Sequence, residues 1–150
     1  MSTKEQFESV VDNYYNGMYR GDPELIRKAF HPEARLQGVM EGKAFYGLTR
    51  ENFCQFVTLM PTPADKGDPR DVRFEVLDQT EAQAVLKITD NVFGVWFTDY
   101  LSLLKTEDGW CVVNKTYYAD KMPEAPEAAK KLLGKTDNSS FSLAEASELI

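Results

Sequence analysis

The sequence predicts an α+β domain in which three N-terminal helices pack on one face of a curved, mostly antiparallel sheet and enclose an apolar pocket. Three observations carry this expectation. Apolar residues recur at steps of three and four as far as Met60, the period changes to two from Val72 onward, and Asp108-Gly109 marks a tight hairpin between two long alternating runs. With 150 residues, 43% of them hydrophobic and 12% aromatic, the chain can bury one sizeable core.

Phe7, Val10, Val11, Tyr14 and Met18 share one face of a first helix that runs to about Arg20 and ends at Gly21. Asp22 caps a second helix, with Pro23 at its first position, Leu25, Ile26, Ala29 and Phe30 as its stripe, and Pro32 as its stop. From Arg35 to Tyr46, with Gly47 just beyond, Gly38 and Gly42 interrupt short apolar pieces, as in a bent two-stranded ribbon. Thr49 caps a third helix with the face Phe53, Phe56, Val57 and Met60, stopped by Pro61 and Pro63, and a polar loop from Ala64 to Asp71 follows. Val72, Phe74 and Val76 alternate in one strand, and Ala82, Ala84, Leu86 and Ile88 in the next. Val95 to Lys105 and Trp110 to Tyr118 form the long hairpin. The domain thus spans residues 1–120, and residues 121–150 form an extension with a short helix from Glu127 to Leu133 closed by Gly134. Ser142 and Glu145 have capping-box spacing, which suits either a last helical turn docked on the domain or on a partner subunit, or a frayed terminus.

A formal charge of −7 argues against nucleic acid, because phosphate binding needs clustered Lys and Arg, and here 24 acids face 17 bases. A neutral or cationic small molecule is the easier ligand. Neither a membrane-length apolar run nor a signal-like start at Met1 to Glu8 is present, which predicts a cytoplasmic protein. Cys54 and Cys111 stand alone in apolar or aromatic surroundings and read as buried free thiols. A single histidine, His31, removes the usual metal cluster and nucleophile pairs; beside Pro32 at a helix end it suits capping better than catalysis. No metal and no cofactor are expected.

On the strand from Val95, Phe97, Asp99, Leu101 and Leu103 share one face and Trp96, Thr98, Tyr100, Ser102 and Leu104 the other. On the returning strand Val112, Asn114, Thr116 and Tyr118 alternate with Cys111, Val113, Lys115 and Tyr117. Both sheet faces are substantially apolar, so Trp96, Tyr100 and Tyr117 on an outer face predict a homodimer through the sheet. Asp99 shares its face with Phe97 and Leu101. If that face is the inner one, desolvation raises its pKa; if the strand is bulged, Asp99 merely caps a backbone group. Tyr14, on the apolar stripe of the first helix, is either a core tyrosine or a partner for Asp99, Asn114 or Tyr118. These residues, with Phe53, are the candidate ligand-binding set, a few convergent polar groups in an apolar cavity.

The stretches Val10-Val11-Asp12-Asn13-Tyr14, Gly21-Asp22, Ala29-Phe30-His31-Pro32-Glu33-Ala34 and Asp99 to Lys105 leading to Asp108-Gly109-Trp110 resemble the nuclear-transport-factor-2-like (NTF2-like) superfamily, most closely the lumazine-binding, SnoaL-like branch of small bacterial proteins. The resemblance covers Phe7 to Tyr118 and implies a cone of mixed, mostly antiparallel sheet and three helices around a deep pocket, commonly dimeric. Ketosteroid isomerase on this fold uses an Asp base with a Tyr and a protonated Asp as oxyanion hole. By position its tyrosine corresponds to Tyr14 and its protonated aspartate to Asp99, whereas its base corresponds to about Gly38, which can abstract no proton.

Three readings follow. The first is a protein that binds a small aromatic or heterocyclic molecule in the pocket. The second is a cavity enzyme of isomerase, dehydratase or cyclase type, which needs a second carboxylate from among Glu41, Glu51 and Asp90. The third is a dimeric association module whose pocket is plugged by side chains such as Phe45, Phe53 and Met60.

Overall fold

The computed structural model describes residues 1–136, so the capping-box pair Ser142 and Glu145 lies outside the described residues. The element order is α1 (Thr3–Arg20), α2 (Pro23–Ala29), β1 (Phe30–Met40), β2 (Lys43–Thr49), α3 (Arg50–Leu59) and the single turn α4 (Pro63–Lys66). Then come β3 (Asp71–Gln79), β4 (Gln83–Val92), β5 (Val95–Thr106), β6 (Gly109–Ala119), the single turn α5 (Glu127–Lys130) and β7 (Lys135–Thr136).

Local chemistry sets most of these boundaries. The Ser2 hydroxyl accepts from the Glu5 N–H while the Glu5 carboxylate accepts from Ser2, a reciprocal cap for α1, and Gly21 closes the helix in the left-handed region at φ 66°. Asp22 caps α2 and Thr49 caps α3 through their side chains. The second helix ends at Ala29, short of its expected stop at Pro32. A residue before proline is pushed out of the helical region, so His31 is extended and β1 already begins at Phe30. Nδ1 of His31 accepts from the Glu33 N–H at 2.9 Å, so the histidine caps a backbone donor within the strand and not a helix end. The expected loop after α3 holds one helical turn, capped by Thr62 and closed by Gly67.

The strands form one open, seven-stranded sheet in the order β3-β4-β5-β6-β1-β2-β7. All neighbours are antiparallel except β1 and β6, whose pairing is parallel. Tight hairpins join β1 to β2 at Glu41-Gly42 and β4 to β5 at Phe93-Gly94, all four residues having positive φ, as mirror-image two-residue turns demand. The β5–β6 turn sits one residue earlier than the Asp-Gly pair suggests. Thr106 pairs with Gly109, so Glu107 and Asp108 form the loop, and Gly109 takes the positive φ of 104° as the first residue of β6.

Helices cover one face of this sheet. Phe7, Val10, Val11, Tyr14 and Met18 of α1 and Phe53, Phe56 and Val57 of α3 join Leu86, Ile88, Leu101, Leu103 and Val112 of the sheet in a single buried cluster. The Tyr15 hydroxyl donates to the Asn91 carbonyl and accepts from the Asp71 N–H, each at 3.0 Å, and the Tyr19 hydroxyl donates to the Asp68 carbonyl at 2.6 Å. These bonds fix α1 over the β3–β4 end of the sheet. The segment after Asp120 returns to the domain: Pro123, Ala129 and Leu133 are buried, the helix expected to reach Leu133 stops at Lys130, and β7 pairs through its main chain with Phe45 and Tyr46 of β2.

Gly38 of β1 lies beside Tyr117 of β6, and a Cβ there would stand 2.3 Å from the Tyr117 carbonyl oxygen and 2.4 Å from its ring. Because the obstruction includes backbone, relaxation is expensive. Gly38→Ala is expected to destabilise the fold by about 1–3 kcal/mol, read as a lowered urea midpoint; an unchanged midpoint would mean that the ring and strand give way freely.

Candidate functional site

The site is built between α1 and α3 on one side and the inner faces of β1, β2 and β6 with the β4–β5 hairpin on the other. On β5 the alternation is as expected, with Asp99, Leu101 and Leu103 buried and Trp96, Tyr100 and Leu104 exposed. On β6 it is not. Ser102 pairs with Asn114 but Leu103 pairs with Val112, so Val113 is an extra residue and the strand is bulged. One extra residue reverses a period of two. Val112 faces inward before the bulge, and Lys115, Tyr117 and Ala119 face inward after it.

Two of the expected pocket residues are therefore displaced to the other face. Asn114 accepts there from Gln37 Nε2 at 3.4 Å, and the exposed Tyr118 donates to Asp120 at 2.8 Å. Tyr117, expected in the outer patch, is buried, and Tyr118 takes its place outside beside Trp96. Of the other expected residues, Tyr14, Phe53 and Phe97 line the cavity, Asp99 is fully buried against Tyr14, and Leu101 is fully buried in the sheet beneath. Lys115, Tyr117 and Asp90 are the buried polar residues that strand alternation missed; Asp90 is visible in the sequence only as one carboxylate among several.

The cavity has a volume of about 40 Å³. Its walls are Tyr14 and Met18 from α1, Phe53 and Phe56 from α3, Leu36, Met40 and Leu48 from β1 and β2, and Val92, Phe93 and Phe97 from the β4–β5 hairpin. Lys115 and Tyr117 bring polar atoms to it, and Pro123 and Leu133 of the returning segment complete it. Phe45 and Met60, expected as plugs, are core residues outside the lining.

The Tyr14 hydroxyl donates to Asp99 Oδ2 at 2.6 Å, a short bond between groups that are both 0% exposed. Asp99 lies opposite Tyr117 on β6, and Lys115 lies opposite Leu101, one step along the same face. Asp90 faces Phe97 on β5, which makes it a diagonal neighbour of Asp99. Lys115 Nζ sits 4.7 Å from the Tyr14 ring centroid, 4.8 Å from that of Phe53 and 5.2 Å from that of Tyr117. Among the described residues, Asp99 Oδ1, both oxygens of Asp90 and the Tyr117 hydroxyl are buried without a hydrogen-bond partner. Glu41 is exposed at a hairpin, and the exposed Glu51 is bound by Arg27 and Arg50, each at 2.9 Å. Asp90 is thus the second carboxylate at this site.

Burial dominates the protonation of the cluster. It pushes Asp90 well above the ordinary carboxylate range, aided by the Asp99 charge and opposed by Lys115. Asp99 is raised by burial against the pull of Lys115 and the Tyr14 hydrogen bond. Lys115 is lowered by burial, with Asp99 and Asp90 acting the other way. Tyr14 and Tyr117 are both raised, first by burial and then by the Asp99 charge. The arrangement therefore favours the protonated form of its acids and can present hydroxyl or carboxyl donors to an oxygen atom in an otherwise apolar space.

This α+β fold, with helices on one face of an open mixed sheet and a pocket between them, is the fold of NTF2-like proteins. Residues 2–118 match the family described as "Putative lumazine-binding", and the chain belongs to that family. An NTF2-like protein of Silicibacter pomeroyi superposes with a TM-score of 0.65 at 23% identity, over 79% of this chain and 99% of its own. Another, from Shewanella baltica, gives a TM-score of 0.61 at 23% identity, over 79% and 97%. Among curated proteins, the aldolase FrzH of Cladobotryum sp is 23% identical over 122 residues, which span 78% of this chain and 94% of that protein.

The pKa of Asp90 carries a prediction for stability. Its folded value lies above the unfolded value of about 3.9, so folding retains a proton that the unfolded chain releases. Its contribution is fully present below about pH 4 and is lost as pH rises through the folded pKa. In thermal melts across that range, Asp90→Asn is expected to gain on the parent protein as pH rises, by at most about 1.4 kcal/mol per pH unit; a gap that stays constant would mean that Asp90 does not titrate between the two states.

Proposed function

We propose that the protein binds a small, largely apolar molecule in this cavity and holds a carbonyl or similar oxygen of that molecule beside Tyr14 and Tyr117, with Asp99 hydrogen-bonded to Tyr14 behind them. The observation that carries the reading is the buried, unpartnered Tyr117 hydroxyl on the lining of an otherwise apolar cavity, with unpartnered carboxylate oxygens of Asp90 and Asp99 behind that lining. Leaving such atoms unsatisfied costs about 1–3 kcal/mol each, a debt that a bound polar group removes. Tyr14, Phe53 and Phe97 contact the ligand in this reading, and Asp99 sets the hydrogen-bonding state of Tyr14. Leu101 supports them from the sheet. The family description agrees with an aromatic heterocycle as ligand. A cavity of about 40 Å³ admits only a small group as it stands, whereas drug-sized ligands occupy several hundred Å³; Met18 and Met40 are the flexible walls that a larger molecule would displace.

A second reading, a cavity enzyme, is favoured by Asp90, since it places a second carboxylate beside Asp99. The aldolase name of one curated relative points the same way. On the outer face, Trp96 (51% exposed), Tyr100 (45%) and Leu104 (43%) support a homodimer through the sheet, with Tyr118 in the role first given to Tyr117.

Native mass spectrometry of freshly purified protein tests the ligand and the dimer together. The expected species is a dimer that retains a small molecule, which Asp99→Asn weakens at least tenfold with little change in melting temperature. A large loss of stability in that variant with ligand retention unchanged would assign Asp99 a purely structural role. The double variant Trp96→Asp, Tyr100→Asp is expected to give a folded monomer in sedimentation velocity; a dimer that survives it uses another surface.

A further inference from the structure

We propose that Lys115 is an amine nucleophile that forms an imine with the carbonyl carbon of a small, largely apolar aldehyde or ketone bound in the cavity. The inference rests on the cavity being a small-molecule site, and it adds a reaction class and the residue that performs it.

Lys115 is 5% exposed and lines the cavity, so the little surface it retains faces the space where a ligand would sit. A lysine this deep in a sheet ordinarily ends on a carboxylate. Lys115 does not: among the described residues no acidic oxygen lies within 4.0 Å of Nζ and no acceptor hydrogen-bonds it. Its amine is instead enclosed by the rings of Tyr14, Phe53 and Tyr117. Asp90 from β4, Asp99 from β5, Tyr14 from α1 and Tyr117 from β6 are the titratable groups facing it. Burial lowers the lysine and raises both acids, so the neutral amine and the neutral carboxyl are favoured together. A desolvated lysine of this kind gives up its proton more readily than a solvated one, which frees the electron pair that a nucleophile needs.

The step balances within the site. The Nζ lone pair attacks the carbonyl carbon, and the C=O π pair moves to oxygen, which takes a proton from the acidic side of the cluster. One Nζ hydrogen then transfers to the same oxygen, the C–O bond breaks, and water leaves as the C=N bond forms. The products are an iminium cation, one carboxylate and one water. The net charge of the site is unchanged, because the carboxylate left behind neutralises the iminium, and the three rings face that cation as they faced the amine. Each component of the cluster has a part: Asp90 or Asp99 supplies the proton, Tyr14 and Tyr117 can hold the carbonyl oxygen, and the apolar walls limit hydrolysis.

The test uses the whole chain, benzaldehyde as probe and sodium cyanoborohydride to convert any imine into a stable secondary amine, with the modified residue located by peptide mass mapping at pH 7. Burial lowers the Lys115 pKa, and the cavity it lines brings the probe to its amine. Lys115 is therefore expected to be benzylated at least ~10-fold faster than the exposed Lys28, Lys66 and Lys130. Lys115→Arg and Lys115→Met are expected to abolish that adduct; the mapping of the parent protein decides the matter even if a variant does not fold. Thermal shifts with benzaldehyde and with benzyl alcohol, which has no carbonyl, report binding separately. Stabilisation by both compounds without preferential labelling of Lys115 would overturn the imine while leaving the binding pocket intact. Neither stabilisation nor labelling would overturn both.

Discussion

Two carboxylates and an ammonium are removed from water on one face of one sheet, and the cost of that desolvation governs the interior of this protein. An isolated buried ion costs several kcal/mol even after relaxation. Asp90, Asp99 and Lys115 are 0%, 0% and 5% exposed, and the contacts that would offset the cost are only partly made. Asp99 has the Tyr14 hydroxyl; Asp90 has no hydrogen-bond partner among the described residues; Lys115 has aromatic faces in place of a carboxylate. Burial accordingly shifts both acids towards their protonated forms and the lysine towards its neutral amine. That ties the site's chemistry to its burial, because anything that admits water also returns the charges.

The helices supply the burial. Tyr14 comes from α1 and Phe53 from α3, and their rings lie over Lys115 as well as against Phe30. The Tyr14–Asp99 hydrogen bond spans 85 residues of sequence and joins the first helix to the centre of the sheet. Around the rim, Phe93 reaches the Phe56 ring at 5.9 Å from a hairpin position with φ 57°, a left-handed conformation uncommon for a bulky side chain. The turn thus directs an aromatic wall into the cavity at some conformational cost.

The amphipathic stripe of α1 and the two faces of β5 were legible in the sequence because nothing interrupts their periods. The β4–β5 register runs without a shift from Gln83 opposite Leu104 to Val92 opposite Val95, so counting by twos along β5 places Asp99 correctly. On β6 the same count fails after Val113. Adjacent Val112 and Val113 hint at an extra residue, but nothing local says on which side of it the parity resets, and a lysine has every reason to be read as solvent-facing. Asn114, Tyr117 and Tyr118 were therefore exchanged between faces and Lys115 was overlooked. Leu133 was unreadable for another reason: it reaches the cavity through the return of the C-terminal segment to β2, a long-range pairing with no local periodic signal.

Gly38 stands at about the position where the resemblance to ketosteroid isomerase would place a base. A carboxylate at that position would need a Cβ, and a Cβ would collide with the backbone and ring of Tyr117. Gly38 thus leaves the ring and carbonyl of Tyr117, turned inward by the β6 bulge, the space that a larger residue would fill. The carboxylates nearest the cavity are instead Asp90 and Asp99, both fully buried behind its lining. Lys115 lines the cavity whereas the carboxylates lie behind the lining, so in the proposed imine formation a bound carbonyl compound meets the amine before either acid. Such an order of contact suits addition at carbon followed by proton transfer at oxygen better than abstraction of a proton from carbon.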